Sequence, residues 1–334
     1  MLVWNIGHTM SLYLVSGVAG FIGSKVADLL LCQGHTVIGL DNLNKSYDVR
    51  LKHYRLEELR KHNSFSFYEC DICDRTAMTQ TFSAREPIAA VLHLAARAGI
   101  RHSVKDPWSY FEANVIGTLN LLEFCRQKNC RKFVFTSTST LYGTDNSQPC
   151  HEAADTNMPL SPYAASKKAA EALCYTYHYL HGLDLTILRY FTVYGPAGRP
   201  DMSIFRFVKW ISEGDPVVVY GDGTQLRDFT FIDDVALGTI AALKNTGYEI
   251  VNLGSNRPVA INETIALIED LVGRKAQIDY QPAHRADVNI TWADISKAFS
   301  LLNWVPKTTY ESGLKQSTEW YRTNRNWASG ISTS

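Results

Sequence analysis

The chain has 334 residues, 46% hydrophobic and 20% charged, the composition of an ordered globular protein with a large core in two lobes; this excludes a disordered or fibrous chain. Lysine plus arginine equals aspartate plus glutamate at 33 each, so no net charge draws it to nucleic acid or an anionic membrane surface. No apolar run reaches the roughly 18 residues of a membrane span, and the seven cysteines are odd in number and scattered, so we expect a cytoplasmic protein with reduced thiols.

Residues 1–9 carry no basic stretch and precede any strand-like run, and they read as an upstream-start extension. Leu12 to Ser16 is a short apolar run leading into Gly17-Val18-Ala19-Gly20-Phe21-Ile22-Gly23 and then the helix-favouring Ser24 to Gln33, stopped by Gly34. Strand, glycine turn and helix in that order form a phosphate cradle, because glycines let the backbone approach and the helix start offers unpaired N–H groups to a pyrophosphate. Gly17, Gly20, Phe21, Ile22 and Gly23 are therefore expected to hold a dinucleotide, although the spacing is G-x-x-G-x-x-G rather than G-x-G-x-x-G. The next apolar run, Thr36 to Leu40, ends at Asp41, 18 residues past Gly23. An acid there accepts hydrogen bonds from an adenosine ribose and repels a 2′-phosphate, which points to NAD over NADP.

The alternation continues with a helix predicted over 49–61, a strand over 65–70, a helix over 75–84 and a strand over 88–94. A helix over 108–128, a strand over 132–137, a helix starting at Ser161 and a strand over 185–190 follow. This pattern predicts an α/β fold with a Rossmann-type doubly wound parallel sheet, whose ligands sit beyond the carboxyl ends of the strands. The lone Cys70-x-x-Cys73 pair reads as structural, since no second pair or histidine cluster completes a metal set.

The stretch from Leu160 to Leu180 carries the chemistry. Ser161 is a good N-cap and Pro162 suits the first helical position, so a helix starts here with Tyr163 and Lys167 on one face. The positive helix end and the neighbouring ammonium are expected to pull the tyrosine down from about 10 toward a value useful in a base. Such pairs also arise by chance, so its meaning depends on the rest of the chain.

After Gly195, prolines and glycines interrupt regular structure, and a second, smaller lobe is expected. Ile250 to Leu253 reads as a strand returning to the main sheet, so the lobes interleave. We assign residues 10–190, with a returning segment near 233–255, to the dinucleotide-binding domain, and 191–232 with 256–325 to the substrate lobe. Asp233 and Asp234 read as helix-start acids, and the tail beyond Trp327 as frayed.

With the glycine turn, Asp41, Tyr163 and Lys167 in view, the chain resembles the extended short-chain dehydrogenase/reductase family from about Ser11 to Trp320. In that family the strand before the catalytic helix supplies a hydroxyl, four residues before the tyrosine of a Tyr-Gly pair; here that position is Thr138. The resemblance implies Thr138, Tyr163 and Lys167 as catalytic residues. It places the cofactor against the glycine turn, Asp41, Asn42 and Asn44, Asp71 and Ile72, Leu94, Ala95 and Ala96, Asn114, Ser137, Tyr163, Lys167, Tyr190 and Val193. It also implies a homodimer built from the helices over 108–128 and 163–180.

Dehydratases of this family carry an Asp-Glu pair after the threonine, and the related decarboxylases a Glu; Ser139 and Thr140 stand here, which favours epimerisation. Leu188 to Pro196, Gly198-Arg199-Pro200-Asp201-Met202, Ala96 to Arg101 and Asp41 to Asn44 resemble the UDP-glucuronate 4-epimerase branch. The resemblance implies that Thr192 and Arg199 hold the sugar carboxylate, consistent with the bidentate grip of a guanidinium. The remaining substrate contacts expected are Arg101, Thr138, Ser139, Met202, Arg227 on the diphosphate, and Arg285. His284-Arg285-Ala286-Asp287-Val288 departs from the family pattern, which often has an Arg or Gln before Gly-Asp-Val. The expected reaction is NAD-dependent conversion of UDP-glucuronate to UDP-galacturonate by oxidation at C4, rotation and hydride return; alternatives are a UDP-glucose or UDP-N-acetylglucosamine 4-epimerase and a UDP-glucuronate decarboxylase.

Overall fold

The computed structural model describes residues 10–81, 87–144, 147–283 and 287–333. Residues 1–9, the end of the helix expected over 75–84, and His284 and Arg285 lie outside the described residues. In chain order the elements begin β1 (Leu12–Ser16), α1 (Phe21–Cys32), β2 (Thr36–Asp41), α2 (Arg50–Leu59), β3 (Phe65–Glu69), α3 (Arg75–Thr81) and β4 (Ala90–His93). Next come α4 (Ile100–Lys105), α5 (Pro107–Phe111), α6 (Gly117–Lys128), β5 (Lys132–Thr138), α7 (Pro162–His181), β6 (Asp184–Tyr190) and β7 (Thr192–Tyr194). The chain closes with α8 (Ser203–Glu213), β8 (Val217–Tyr220), β9 (Leu226–Phe231), α9 (Ile232–Ala241), β10 (Tyr248–Leu253), β11 (Pro258–Ala260), α10 (Ile261–Val272), β12 (Ile278–Gln281), α11 (Ser296–Leu302) and α12 (Tyr310–Ala328).

Seven parallel strands form one sheet in the order β10-β6-β5-β4-β1-β2-β3, so the winding direction reverses between β1 and β4. Its strands read as continuous apolar runs because both faces are covered. Alternation splits their side chains: Val15, Val37, Leu92 and Val134 meet Val26 and Leu30 of α1 and Val235 of α9. Leu14, Ile38, Val91 and Phe133 meet Leu121 and Cys125 of α6 and Ala170 and Cys174 of α7. The return of β10 beside β6, with Leu253 level with Tyr190, is the interleaving expected from Ile250 to Leu253.

The smaller lobe holds a three-stranded sheet, β11-β9-β7, and the pair β12-β8. Its core is aromatic: Tyr194, Phe229, Phe231 and Tyr310 meet with ring centroids 5.4 to 6.1 Å apart. Asp228 is fully buried there and accepts hydrogen bonds from the backbone N–H groups of Ser255, Asn256 and Ala293, so it ties three segments together. Asp233 and Asp234 lie in the first turn of α9, where Asp234 also accepts from Lys307 N and Thr308 N. All seven cysteines are free thiols. Among the described residues, no helix is long and apolar enough to cross a membrane.

Two helices differ from expectation. α1 starts at Phe21 rather than Ser24, because Gly20 adopts the extended cap conformation directly after the glycine turn. The helix expected over 108–128 contains a π turn at Glu112–Ile116 between α5 and α6. π turns of this kind insert a residue into a helix, often beside a functional site; here the turn carries Asn114.

Candidate active site

A cavity of about 800 Å³ opens beyond the carboxyl ends of β1, β2, β4, β5 and β6 and is closed on its far side by the smaller lobe. The switch between β1 and β4 places the glycine turn at its floor. Gly17 has φ +73°, and a Cβ there would stand 2.6 Å from Ala95 N; one at Gly23 would stand 2.2 Å from Gly17 O. The turn packs this tightly only without side chains. Gly20 caps α1 with no side-chain hydrogen bond, so the first N–H groups of the helix are left to meet an anion, and Phe21 and Ile22 line the cavity beside them.

At the end of β2, Asp41 accepts from Ala19 N at 3.2 Å and Leu43 N at 2.9 Å. Its Oδ1 also lies 3.2 Å from Lys52 Nζ on α2, a buried pair that the sequence did not indicate. The carboxylate is thus neutralised in part, which weakens its expected repulsion of a 2′-phosphate. Asn42 donates to Asp71 at 2.8 Å, and Asn44 donates to Asn42 at 2.7 Å, giving one polar wall. Ile72, Leu94, Ala95, Ala96, Tyr190 and Val193 line the same cavity. The fit to a dinucleotide rests on this cradle: bare helix N–H groups on one side of the turn and a ribose-sized polar wall on the other.

Asn114 is the exception. It is fully buried, does not line the cavity, and spends its amide on Arg97 N (2.8 Å), Arg97 O (3.0 Å) and Ser166 Oγ (2.9 Å). The π turn aims it at the loop after β4, which it holds to α7.

At the mouth of β5, Ser161 Oγ accepts from Ala164 N and starts α7 as expected. Tyr163 and Lys167 are both buried in the wall of the cavity. Lys167 Nζ donates to Thr136 O at 2.8 Å and lies 4.8 Å from the centre of the Phe135 ring. Burial holds its pKa down to about 7, outweighing the opposing charge of Glu171. Burial likewise raises the Tyr163 pKa, opposed by a hydrogen bond with Thr138 and by the charge of Arg199. The expected net pull downward on Tyr163 is therefore corrected: desolvation in the dry wall outweighs the lowering by Thr138 and Arg199. Thr138 Oγ1 also sits 2.9 Å from Thr140 Oγ1, so two hydroxyls stand together on the Tyr163 side of the cavity. Ser137, expected at the cofactor, lines the cavity but donates to Glu171 at 2.6 Å.

The smaller lobe and the loop after β7 supply the opposite wall. Thr192, Arg199, Met202, Arg227, Arg101 and Ser139 all reach it. Arg199 makes a bidentate pair with Asp201, Nε to Oδ1 at 3.0 Å and Nη2 to Oδ2 at 2.6 Å, and donates to Ala98 O. Burial alone would lower the Arg199 pKa, but the Asp201 carboxylate raises it and is itself held low. Arg55 of α2 donates to Ala19 O, Ala197 O and Gly198 O, so it bolts the loop carrying Arg199 to the glycine turn. Arg227 donates to Leu226 O, while burial and then Arg101 lower its pKa against Asp287. Arg101, from α4, pairs with Asp287 at 2.6 Å and stacks on Tyr220 at 3.6 Å, which joins the two lobes across the cavity. Lys52, Arg55, Asp201 and Asp287 were missed in the sequence; only Asp201, two residues from Arg199, had a readable signal.

A doubly wound sheet with a phosphate cradle, and a buried Tyr-x-x-x-Lys helix facing an arginine-lined lobe, defines a dinucleotide-dependent enzyme acting on an anionic substrate. The chain belongs to the NAD dependent epimerase/dehydratase family, whose profile matches residues 13–254, and its cofactor is NAD. It is 55% identical over 316 residues, 94% of this chain and 97% of the relative, to a UDP-glucuronate 4-epimerase of Thermodesulfobacterium geofontis. Its structure is similar to UDP-glucuronic acid 4-epimerase from Bacillus cereus in complex with UDP-glucuronic acid and NAD, with TM-score 0.87, 37% identity, and coverage of 94% and 99% of the two chains. It is also similar to UDP-glucose 4-epimerase from Thermotoga maritima with UDP-glucose, with TM-score 0.86, 33% identity and the same coverage.

Proposed function

We propose that this protein is a UDP-glucuronate 4-epimerase that interconverts UDP-glucuronate and UDP-galacturonate. The observation that carries the reading is Arg199: a half-buried guanidinium in the same cavity as Tyr163, close enough to act on its charge, on the loop that follows Thr192. The B. cereus neighbour with UDP-glucuronic acid and the 55% identical relative support it.

In this reading the Gly17–Gly23 turn holds the pyrophosphate, while Asp41, Asn42 and Asn44 meet the ribose and Asp71 and Ile72 the adenine side. Arg227 grips the substrate diphosphate, and Thr192 and Arg199 the sugar carboxylate. Bound NAD supplies the acceptor and returning donor of a hydride at sugar C4. Tyr163, as phenolate, takes the O4 proton directly or through Thr138, and Lys167 fixes its charge. The planar 4-keto sugar then turns about its diphosphate linkage and presents its other face. That keto sugar is a β-keto acid, which loses CO2 when its C5–C6 bond lines up with the carbonyl π system; the grip of Thr192 and Arg199 keeps the bond out of alignment.

Incubation with UDP-glucuronate and UDP-glucose separately, with product analysis, tests this. UDP-galacturonate from the first is expected. Turnover of UDP-glucose alone would establish the second reading, a neutral-sugar 4-epimerase like the T. maritima neighbour; evolved CO2 would mark a decarboxylase. We further propose a cytoplasmic homodimer: α5 and α7 leave Trp108, Tyr179 and Leu180 exposed, an apolar surface that a second copy would cover, and the free thiols fit a reducing compartment.

A further inference from the structure

Behind the catalytic wall lies a second buried charge that the reaction as described does not use. Glu171 is on α7, one turn beyond Lys167, and is buried with Arg189 of β6 and Ser137 of β5. Its Oε1 accepts from Ser137 Oγ at 2.6 Å and Arg189 Nε at 3.0 Å, and its Oε2 from Arg189 Nη2 at 2.8 Å. Arg189 completes its contacts on Glu152 O at 3.3 Å and over the Tyr142 ring at 5.0 Å. Ser137 stands between two residues that matter: Thr136, whose carbonyl takes the Lys167 ammonium, and Thr138, whose hydroxyl meets Tyr163.

We propose that Glu171 is a positioning residue for the reaction: through Ser137 it fixes the β5 segment presenting the Lys167 acceptor and the Thr138 hydroxyl, and its carboxylate sets a compensating charge one turn from the buried Lys167. The geometry assigns both tasks to one group. A carboxylate one helical turn from a buried ammonium favours the charged form. Arg189 is the buried ion-pair partner of that carboxylate, so the two charges leave water together. The other groups that face Lys167 do not substitute for Glu171. His93 of β4 is kept neutral by burial and by Lys167, Cys174 of α7 is kept protonated by burial, and Tyr163 lies on the cavity side. On the far side of Glu171, Tyr248 of β10 is held in its phenol form by burial and by Glu171 itself.

The proposal rests on the assignment of Lys167 to catalysis, so Lys167→Met is measured alongside; if that variant kept full turnover, the assignment would fail, independently of Glu171. The test is the pH profile of kcat for Glu171→Gln, using whichever UDP-sugar the wild type turns over. Gln can still accept from Ser137, so loss of the charge moves the alkaline limb of kcat down by roughly one pH unit. Ser137→Ala keeps the charge and cuts the tether; it lowers kcat about tenfold with substrate KM within about twofold and leaves the limb in place. Because Glu171→Gln strands the buried Arg189, a double variant with Arg189→Gln is made in parallel, and the limb shifts there too. An alkaline limb unmoved in both charge variants, or a Ser137→Ala enzyme with unchanged kcat, would overturn the proposal. A purely structural role lowers the yield of folded enzyme without moving the limb, and counts against it.

Discussion

Arg199 and Asp201 form a bidentate ion pair inside the cavity, with Asp201 on the Nε and Nη2 edge that a substrate carboxylate would otherwise take. The guanidinium is therefore pre-aimed but partly neutralised, and an acid sugar meets it through what that pair leaves open. Asp201→Asn removes the internal competitor and lowers KM for UDP-glucuronate about fivefold, with little change for UDP-glucose. Steady-state kinetics with both sugars read this directly; an equal change for the two would show that Asp201 has no part in discrimination.

Removing the guanidinium acts in the opposite direction. Arg199→Ala raises KM for UDP-glucuronate roughly a hundredfold, as expected for loss of a charge-assisted grip worth about 3 kcal/mol. The variant also releases more UDP-pentose and CO2 per turnover than wild type, because the keto acid is no longer held out of alignment. Chromatography of the products settles both parts.

Lys167 is an ammonium buried for function rather than stability. Its pKa is lowered to about 7 by burial, so the protein bears a desolvation cost there. Lys167→Met fills the same space without that cost: Tm rises by a few degrees while kcat falls about a thousandfold. Thermal unfolding and turnover of the same preparation check it. A lower Tm would mean that the Thr136 hydrogen bond contributes more than the burial takes away.

His93 gives stability a pH dependence. It is fully buried between Ser16 Oγ (2.7 Å) and Thr118 Oγ1 (3.0 Å), and burial, then Lys167, hold its pKa well below the ordinary value. With the folded pKa below the unfolded one, the unfolded chain takes up the proton. Stability is then complete above about 6.5 and declines as pH falls below it. Tm measured from pH 7.5 to 5 shows this decline, and His93→Gln flattens the His93 part of it.

Asn114 links the π turn to the loop after β4. Asn114→Ala leaves Arg97 N and O without that partner, costing about 2 kcal/mol of stability and loosening the loop that lines the cofactor side. NAD binding, followed by fluorescence titration, weakens by about tenfold. If affinity stayed at the wild-type value while Tm fell, Asn114 would be a structural residue only.

Local signals carried much of this protein's description. The order of apolar runs and glycine punctuation was enough for the parallel sheet, because a strand buried on both faces and a helix capped by Ser161 and Pro162 are each written in adjacent residues. The glycine turn, Asp41, and the Tyr163 and Lys167 spacing were legible for the same reason: their geometry is set within one turn or one strand end. What only the tertiary structure decided lies between elements far apart in the chain. Nothing near Asp41 announces Lys52 as its partner, nothing near Arg101 announces Asp287, and Asn114 looks like a ligand contact until the π turn directs it at Arg97. The sign of the Tyr163 shift belongs to the same class. A helix end and a lysine four residues away can be read from sequence, but desolvation depends on what packs over the tyrosine, and burial decides the direction. Sequence determines which groups neighbour one another along an element; folding determines which are dry and which distant charges face them, and those two quantities set the chemistry of the site.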